Sequence, residues 1–421
     1  MKKMIYDRLT GRETSLAVIG LGYVGVPVAL RFARCFDVVG YDMDARRIEK
    51  LREKYGAGCG SIRFTSLEEE LSRAAFYIVT VLTPVDERKN PDLTCLVEAT
   101  RTVARYLKRG DYVVYESTVY PGCTEEVCVP LLEKGSGLKL GADFKVGYSP
   151  ERINPNDSEH PFSNTAKIVS ANDGQALDEV ARVYAEVVAA DLCRASGIRV
   201  AEAAKMTENV QRSVNIALMN ELQRLGSRMG IDMGEVIDMA SSKWNFVKYR
   251  PGLGGGHCIP VDPLYLVSAA SKLGVEMPVT SSGCAVNDGM AAYVVRSLLG
   301  AMGSDGRGAR ALLMGVTYKE NIDDIRNSRI AEMVGLLERE GMSVDVTDPH
   351  ADPDKVYAMY GIRPVPALRP PYDLIVVAVA HDEYRGLDDA YFRSISRGAA
   401  LLGDIRGLYK GRIKSLGYWS L

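Results

Sequence analysis

An apolar run that ends in a glycine-rich turn near the start of the chain places the strongest constraint on its fold. Residues 15–25 have the sequence SLAVIGLGYVG, and the helix-like stretch VPVALRFARC follows at once. The next apolar run, DVVGYD, ends at Asp42. Because a strand, a glycine turn, a helix and a strand follow in this order, the sequence predicts the βαβ unit that begins a doubly wound parallel sheet.

The alternation of strands and helices continues beyond this unit and returns near the C-terminal end. FYIVTVL and DYVVYEST are predicted strands, and the helical stretch LTCLVEATRTVARYLKRG lies between them. From Ala309 the predicted strands are ARALLMGV, SVDVTDP, DLIVVAVA and AALLGDI. We therefore predict the α/β class, with two Rossmann-like doubly wound parallel sheets. The second sheet has no GxGxxG after its first strand, so it need not bind a dinucleotide.

A long amphipathic stretch separates the two predicted sheets. From Gly197, apolar residues recur at three- and four-residue spacing through VAEAAKMTENVQRSVNIALMNELQRLGSRMG, which contains no proline. This pattern predicts one long helix, and helices of this length often bridge two domains or form a dimer interface. We predict three domains, over residues 1–196, 197–300 and 301–421, of which the middle one is helical.

Composition excludes several classes of function. The 421 residues carry a formal net charge of −2, so no basic face for nucleic acid or an anionic membrane is expected. No apolar run approaches the roughly 20 residues of a membrane-spanning helix, and the N-terminal MKKMIYDRLTGRET lacks the apolar core of a signal peptide. The eight cysteines form no CxxC pair and only four histidines accompany them, so we predict free thiols, no metal site and a cytoplasmic location.

The acid at the end of the second strand completes a dinucleotide-binding pattern. Asp42 lies 20 residues after Gly22, where a carboxylate accepts hydrogen bonds from the hydroxyls of a ribose. Its charge would repel a 2′-phosphate, so the pattern favours NAD over NADP, although Arg46 and Arg47 lie nearby. A glycine-rich turn without a ligand is the alternative. The predicted cofactor contacts in this region are Gly20, Gly22, Tyr23, Val24, Gly25, Asp42 and Arg47.

Three further features are candidates for catalysis. Cys258 follows three glycines and a histidine, so that a ligand could approach both its thiol and the backbone. Lys205 and Asn209 are four residues apart on the long helix, and one helix face with an ammonium and an amide can stabilise an oxyanion. Glu151 follows a strand end, where open α/β sheets bind ligands. Taken alone, these residues are equally consistent with a bystander thiol, a solvated helix face and a loop salt bridge.

Seven motifs, in order, resemble one family of enzymes. They are GLGYVGVP, VLTPVDERKNPDL, YESTVYPGCTEEV, YSPERINP, AEAAKMTENVQR, KWNFVKYRPGLGGGHCIPVDPLYL and GVTYKENIDDIRNS. From about Ser15 to the C-terminal sheet, the chain resembles the UDP-glucose/GDP-mannose 6-dehydrogenase family. The resemblance implies an N-terminal NAD domain, a central helical region that forms a homodimer and contains the cysteine loop, and a C-terminal UDP-sugar domain.

The resemblance also implies roles for individual residues. Cys258 is similar to the nucleophile, Lys205 and Asn209 to the oxyanion-stabilising pair, and Asp262 to the acid that works with the lysine. Glu151 and Thr118 are similar to the pair that handles the hydrolytic water. The implied cofactor contacts are Thr83, Pro84, Ser117, Thr118 and Arg326, and the implied substrate contacts are Glu151, Arg152, Ile153, Asn154, Lys205, Asn209, Tyr249, Arg250, Gly255 and Lys319.

The implied reaction is a four-electron oxidation of the C6 hydroxyl of a UDP-sugar through a thiohemiacetal and a thioester on Cys258. The cysteine motif is most similar to that of enzymes acting on UDP-N-acetylglucosamine or UDP-N-acetylgalactosamine, which would supply a precursor for capsule, O-antigen or other surface polysaccharide. The UDP-glucose branch usually has a lysine where this chain has Val261. UDP-N-acetylmannosamine and UDP-glucose stay open as substrates.

Two other classes of function are weighed against this one. A two-electron dehydrogenase would share the glycine turn and a lysine–asparagine helix, but it would need neither Cys258 nor the second sheet. A nucleotide-binding sensor could use Cys258 to respond to redox state, but it would have no use for Lys205, Asp262 and Glu151 together. These residues therefore favour the enzyme.

Overall fold

The computed structural model describes residues 3–56, 60–152 and 164–421. The chain forms two compact units. The first contains Met1–Glu208 and Leu264–Val275, and the second contains Asn209–Pro263 and Glu276–Leu421. Each unit has its own sheet, which confirms the prediction of two α/β sheets. The predicted boundaries of the three domains stay a prediction.

A sheet of eight strands forms the centre of the first unit, counted over the residues that the structure describes. Its strands are β1 (Ser15–Ile19), β2 (Val38–Tyr41), β3 (Ile62–Thr65), β4 (Ala74–Val79), β5 (Tyr112–Tyr115), β6 (Lys145–Tyr148), β7 (Lys167–Ala171) and β8 (Leu192–Arg194). The spatial order is β3-β2-β1-β4-β5-β6-β7-β8. The first six strands are parallel and have the order of a dinucleotide-binding sheet, in which the strand order reverses between β1 and β4.

Helices cover both faces of this sheet and bury its apolar strands. They are α1 (Ile5–Thr10), α2 (Gly25–Phe32), α3 (Ala45–Tyr55), α4 (Thr94–Tyr106), α5 (Val129–Ser136) and α6 (Gly174–Ala185), with a 3₁₀ turn at Glu68–Arg73 and a π turn at Thr124–Cys128. Phe32 of α2 and Tyr184 of α6 are fully buried, and their rings meet edge to face with 5.3 Å between centroids. Burial of one such side chain stabilises the fold by roughly 1.5–3 kcal/mol.

One strand of the first sheet departs from the parallel pattern. β7 pairs antiparallel with β6, with Tyr148 opposite Ser170, whereas β1 to β6 are all parallel. The sequence analysis missed β7 itself, and with it this reversal, and it also missed the short strands β3 and β8. These segments lack the long apolar runs by which the buried strands are recognised.

The predicted long helix is confirmed as α7 (Ile198–Met229). The boundary between the two units falls within it, after Glu208. In the same way α9 (Asp262–Lys272) begins in the second unit and lies mostly in the first. No helix in the described part of the chain is long and apolar enough to cross a membrane.

The second unit contains a smaller parallel sheet. Its described strands are β9 (Arg310–Met314), β10 (Ser343–Thr347), β11 (Tyr372–Val377), β12 (Ser396–Asp404) and β13 (Gly417–Ser420). Their order is β10-β9-β11-β12-β13, the other common order of doubly wound sheets. The helices of this unit are α8 (Met233–Ala240), α10 (Pro278–Asp288), α11 (Met290–Met302), α12 (Arg329–Arg339), α13 (Pro353–Tyr360), α14 (Asp382–Arg385) and α15 (Asp389–Ile395).

Alternate residues of the second sheet belong to separate cores on its two faces. Leu313 and Val376 pack into one core, and Leu312, Ile375 and Leu402 pack into the other. Because side chains alternate along a strand, continuous apolar runs such as ARALLMGV are buried on both faces, as the sequence analysis predicted.

Candidate active site

The first glycine turn has the geometry of a dinucleotide-binding loop. Gly20 has a φ of +92°, and a Cβ at Gly25 would lie 1.9 Å from the Gly20 carbonyl oxygen. A Cβ at Gly22 would meet no atom within 4 Å, so this position is open. The turn leads into the N-terminus of α2, where backbone N–H groups attract a pyrophosphate. The residues present therefore fit NAD.

Asp42 lies at the end of β2 and is anchored to this turn. Its Oδ2 accepts hydrogen bonds from the Leu21 N–H at 2.8 Å and from the Arg47 guanidinium at 2.7 Å. The carboxylate is buried, whereas Arg47 is half-exposed. Asp42 therefore lies beside the glycine turn and forms an ion pair with Arg47.

The other predicted cofactor contacts of the first unit follow the carboxyl ends of neighbouring strands. Thr83 and Pro84 come after β4, and the Pro84 carbonyl accepts a hydrogen bond from the Tyr265 hydroxyl at 2.9 Å. Ser117 comes after β5, and its hydroxyl donates to the Val81 carbonyl at 2.7 Å. Three more predicted contacts are half-buried or exposed: Tyr23, Val24 and Thr118.

Glu151 follows β6 and lies in a buried charged cluster. The Lys205 ammonium on α7 donates to the Glu151 carbonyl oxygen at 2.9 Å. The Glu151 carboxylate accepts a hydrogen bond from Lys167 Nζ at 3.2 Å, and Lys167 also binds Glu116 at 2.8 Å. The sequence analysis missed Glu116 and Lys167. The only signal was that Glu116 directly precedes Ser117 and Thr118, whereas nothing in the sequence marks Lys167.

Arg152 of the first unit forms an ion pair with Glu208, with 2.7 Å between Nη2 and Oε1. Its other terminal nitrogen donates to the Ala166 carbonyl at 2.9 Å. Two of the predicted substrate contacts, Ile153 and Asn154, lie outside the described residues.

The cysteine loop of the second unit packs closely against a neighbouring segment. A Cβ at Gly255 would lie 2.9 Å from the Tyr318 Cβ, and one at Gly256 would lie 2.8 Å from the Tyr318 ring. The Gly256 N–H donates to the Arg326 carbonyl at 3.2 Å, and the Asn327 amide donates to the Gly256 carbonyl at 2.9 Å. Larger residues would therefore push the loop away from this segment, which explains the density of glycine.

Cys258 lies in a loop that carries charged groups. The thiol is half-buried. The pKa of Arg326 is raised, mainly by its ion pair with Asp324, and Cys258 contributes to this rise more weakly. Positive charge near a cysteine is a feature of reactive thiols. His257 contacts the Arg326 guanidinium through Nδ1 at 3.4 Å, as expected of a residue that holds the loop.

Asn209 and Asp262 come together in the second unit. The Asn209 amide donates to Asp262 Oδ2, and both side chains are buried. The Asp262 N–H donates to the Cys258 carbonyl at 2.8 Å, so the residue that begins α9 also holds the cysteine loop. Lys205 and Asn209, as predicted, lie on one helix, four residues apart.

The predicted substrate contacts of the second unit lie on several segments. Arg250 is exposed and pairs with Asp238 at 2.7 Å, and Tyr249 beside it is half-buried. The start of the glycine loop is held by Asn220 of α7, which exchanges two hydrogen bonds with the Gly252 backbone, at 2.8 and 3.1 Å. The sequence analysis missed Asn220.

A histidine-centred network holds the loop of Lys319, which follows β9. His381 is fully buried, its Nδ1 accepts from the Asn321 N–H at 3.0 Å, and its Nε2 contacts Asp348 at 3.2 Å. Burial alone would raise the pKa of Asp348. The hydrogen bonds from His381 and from the Val316 N–H outweigh burial, so this pKa is lowered. His350 and Glu383 also lie close to His381, although both nitrogens of His381 are already engaged.

Comparison with known proteins identifies the chain. It matches the UDP-glucose/GDP-mannose dehydrogenase family in its NAD binding domain over residues 14–188, its central domain over 199–289 and its UDP binding domain over 312–411. It is 44% identical to UDP-N-acetyl-D-glucosamine 6-dehydrogenase of Pseudomonas aeruginosa, over 94% of this chain and 97% of the relative. It is 41% identical to protein CapL of Staphylococcus aureus, over 94% and 96%.

Solved structures agree with this assignment. The structure of UDP-D-ManNAc dehydrogenase from Pyrococcus horikoshii has a TM-score of 0.87 at 29% identity, and the match covers 96% of this chain and 98% of that one. A UDP-glucose dehydrogenase from Pyrobaculum islandicum has a TM-score of 0.81 at 30% identity, over 93% and 94%. The expected NAD domain and UDP-sugar oxidoreductase class are thereby confirmed, and the chain belongs to the UDP-glucose/GDP-mannose dehydrogenase family.

Proposed function

We propose that the chain oxidises the C6 hydroxyl of a UDP-N-acetylhexosamine, UDP-N-acetylglucosamine or UDP-N-acetylgalactosamine, to a carboxylate through a covalent bond to Cys258. The observation that carries this proposal is the Cys258 loop, in which a half-buried thiol follows glycines that pack closely against Tyr318, and in which Cys258 interacts electrostatically with Arg326. The relatives from Pseudomonas aeruginosa and Salmonella typhi, 44% and 43% identical, are both UDP-N-acetyl-D-glucosamine 6-dehydrogenases.

Different residues of the chain have different roles in the proposed reaction. When NAD is bound, it accepts the hydrides that leave C6. Cys258 sulfur bonds to the carbon of the C6 aldehyde to give a thiohemiacetal, which becomes a thioester on the second oxidation. Lys205 and Asn209 donate hydrogen bonds to the oxygen of the reacting carbon as negative charge develops on it, and Asp262 orients Asn209. Glu151, with Thr118, accepts a proton from the water that hydrolyses the thioester.

We assign NAD to the predicted domain 1–196 and the UDP-sugar to 301–421. For NAD, the support is the open position at Gly22 and the acid Asp42 beside the turn. For the UDP-sugar, the support is Lys319, which lies after β9, where the strand order of the second sheet reverses. Tyr249, Arg250 and Gly255 are further proposed contacts.

The stoichiometry of NADH release tests this function. With UDP-N-acetylglucosamine, UDP-N-acetylgalactosamine, UDP-N-acetylmannosamine and UDP-glucose as separate substrates, we expect two NADH per sugar consumed, and the fastest turnover with an N-acetylated gluco or galacto sugar. Absorbance of NADH and chromatography of the sugar acid measure both quantities. A ratio of one NADH per sugar would move the chain to the two-electron class.

UDP-N-acetylmannosamine is the second candidate substrate. The Pyrococcus horikoshii relative that is 31% identical over 89% of this chain is a UDP-N-acetyl-D-mannosamine dehydrogenase. The higher identity to the N-acetylglucosamine enzymes favours the first candidate. UDP-glucose is less favoured as a substrate, because the buried Val261 occupies the position where enzymes of the UDP-glucose branch usually have a lysine.

We also propose a homodimer formed through the long helix. Leu218, Leu225 and Met229 on α7 are exposed, and their spacing of seven and four residues puts them on one helix face. An exposed apolar face of this kind is typical of a self-complementary interface. Among the described cysteines, Cys35, Cys95, Cys123, Cys128 and Cys193 are free thiols, which supports a cytoplasmic location, where a sugar acid for surface polysaccharide would be made.

Charge on that face is expected to separate the protomers. The double variant Leu218→Lys and Leu225→Lys should halve the mass measured by light scattering, because four lysines would meet in a desolvated interface. Met359→Lys, at an exposed apolar residue of α13, is the matched control and should leave the mass unchanged. A wild-type protein with the mass of one chain would contradict the dimer.

A further inference from the structure

The first unit contains a buried cluster of three charged side chains, Lys167, Glu116 and Glu151. Lys167 Nζ binds Glu116 Oε2 at 2.8 Å and Glu151 Oε2 at 3.2 Å. The side chains are 3%, 0% and 10% exposed, respectively. Charged groups are buried so completely only at a large cost in desolvation, so their retention points to a role beyond folding.

The reversed strand β7 creates this cluster. β6 and β7 are antiparallel, with Gly147 opposite Ala171 and Tyr148 opposite Ser170. Lys167 is the first residue of β7, and its ammonium binds the carboxylate of Glu151, which follows the end of β6. A parallel strand would have presented its carboxyl end at this edge of the sheet. The antiparallel direction instead brings the first residue of β7 to the edge where the predicted catalytic residues lie.

The described groups near Glu151 and Glu116 come from several elements of the first unit. The Arg152 N–H donates to its Oε1 at 2.6 Å, and the Lys205 ammonium binds its carbonyl oxygen. Tyr184 of α6 donates its hydroxyl to Glu116. The Arg152 side chain is neutralised by its ion pair with Glu208. Among the contacts just described, Lys167 provides the positively charged side chain that binds the Glu151 carboxylate.

One ammonium cannot fully compensate two buried carboxylates. Burial by itself lowers the pKa of Lys167, but the attraction of Glu116 and Glu151 outweighs it, so Lys167 stays charged. Burial raises the pKa of Glu116, against the attraction of Lys167, and repulsion from Glu151 adds to the rise. The two glutamates thus compete for one ammonium, that of Lys167.

We propose that Lys167 and Glu116 are positioning residues for the release of the sugar acid: Lys167 holds the Glu151 carboxylate in place through their ion pair, and Glu116 weakens this hold because it binds the same ammonium. The proposal rests on the proposed function, in which Glu151 is the base of thioester hydrolysis. In that step the water oxygen bonds to the thioester carbon and the carbon–sulfur bond breaks. Cys258 leaves as the thiolate, one water proton passes to Glu151, and the second leaves the acid product for solvent.

Two substitutions are expected to move the pH dependence of acid release in opposite directions. Lys167→Met removes a positive charge from the hydrolytic site, so the midpoint of the rise in acid release with pH should move up by about one unit or more. Glu116→Gln removes the competing negative charge but keeps hydrogen-bonding atoms, so the midpoint should move down by about one unit. A general loosening of the site would not produce opposite shifts.

The measurement separates acid release from oxidation. Under single-turnover conditions between about pH 5.5 and 9, the reaction is quenched with acid, the adduct on Cys258 is quantified by intact-protein mass, and the free acid by chromatography. The adduct should accumulate in Lys167→Met at neutral pH. Lys167→Arg should keep the wild-type midpoint. Lys145→Met is the matched control, since Lys145 forms a 2.7 Å ion pair with Asp173 at the other end of β6, and its midpoint should not move.

The outcomes distinguish this inference from the function on which it rests. If Glu151→Gln slows acid release but Lys167→Met and Glu116→Gln shift the midpoint in the same direction or not at all, the inference is wrong and the function stands. If Glu151→Gln releases acid at the wild-type rate, the role of Glu151 fails, and the inference fails with it. If wild-type protein forms no adduct on Cys258, the proposed function itself is wrong.

Discussion

Replacement of Cys258 by serine is expected to reduce formation of the sugar acid by about 10³-fold or more, which corresponds to about 4 kcal/mol of transition-state stabilisation. A serine hydroxyl is almost fully protonated near neutral pH, whereas a cysteine thiol ionises far more readily and its sulfur is the better nucleophile. Without the thiohemiacetal, the second oxidation has no activated intermediate. We expect at most one NADH per active site from the variant, followed by arrest.

The measurement is acid formed per enzyme over time, together with the mass of the protein after quenching. Wild-type protein should show an adduct on Cys258, and the serine variant should show none. Cys95→Ser is the control, because Cys95 is an exposed free thiol on α4, and its activity should equal that of wild type. Acid formation by Cys258→Ser at the wild-type rate would exclude the thioester route.

Alanine at Gly25 is expected to weaken NAD binding by about 100-fold, or about 2.7 kcal/mol, and to lower the melting temperature. The new Cβ would lie 1.9 Å from the Gly20 carbonyl oxygen and 2.6 Å from Thr80 Oγ1, so the turn must move. Overpacking of this kind typically costs about 1–3 kcal/mol of stability. Titration of NAD by calorimetry and thermal unfolding measure the two effects.

Alanine at Gly22 separates binding from folding. Because its Cβ would meet no atom within 4 Å, Gly22→Ala should unfold at the wild-type temperature, yet it should bind NAD at least ~10-fold more weakly by obstructing the pyrophosphate. Gly174→Ala, at an equally open glycine that begins α6, should change neither property. Wild-type affinity in both Gly22→Ala and Gly25→Ala would mean that the dinucleotide does not bind at this turn.

The short-range patterns of the sequence were sufficient for much of this fold. β1, Gly20–Gly25 and Asp42 are separated by few residues, and their geometry depends on local requirements such as positive φ and close approach of the backbone. The apolar period of α7 and the uninterrupted apolar strands β4 and β9 likewise follow from which faces must be buried. These elements were predicted because their causes lie within about twenty residues.

The remaining features depend on contacts between distant residues. Asn220 and Gly252 are 32 residues apart, and Lys167 and Glu116 are 51 apart, so no local pattern joins them. Which residue comes opposite Glu151 depended on the direction of β7, and a one-residue slip in register would turn Lys167 to the other face.

The sequence by itself thus determined the class of fold, the glycine turn with its acid and the candidate catalytic residues. Only the tertiary structure decided which buried charges surround Glu151, because an ion pair in a low-dielectric interior depends on distances that long-range strand pairing sets.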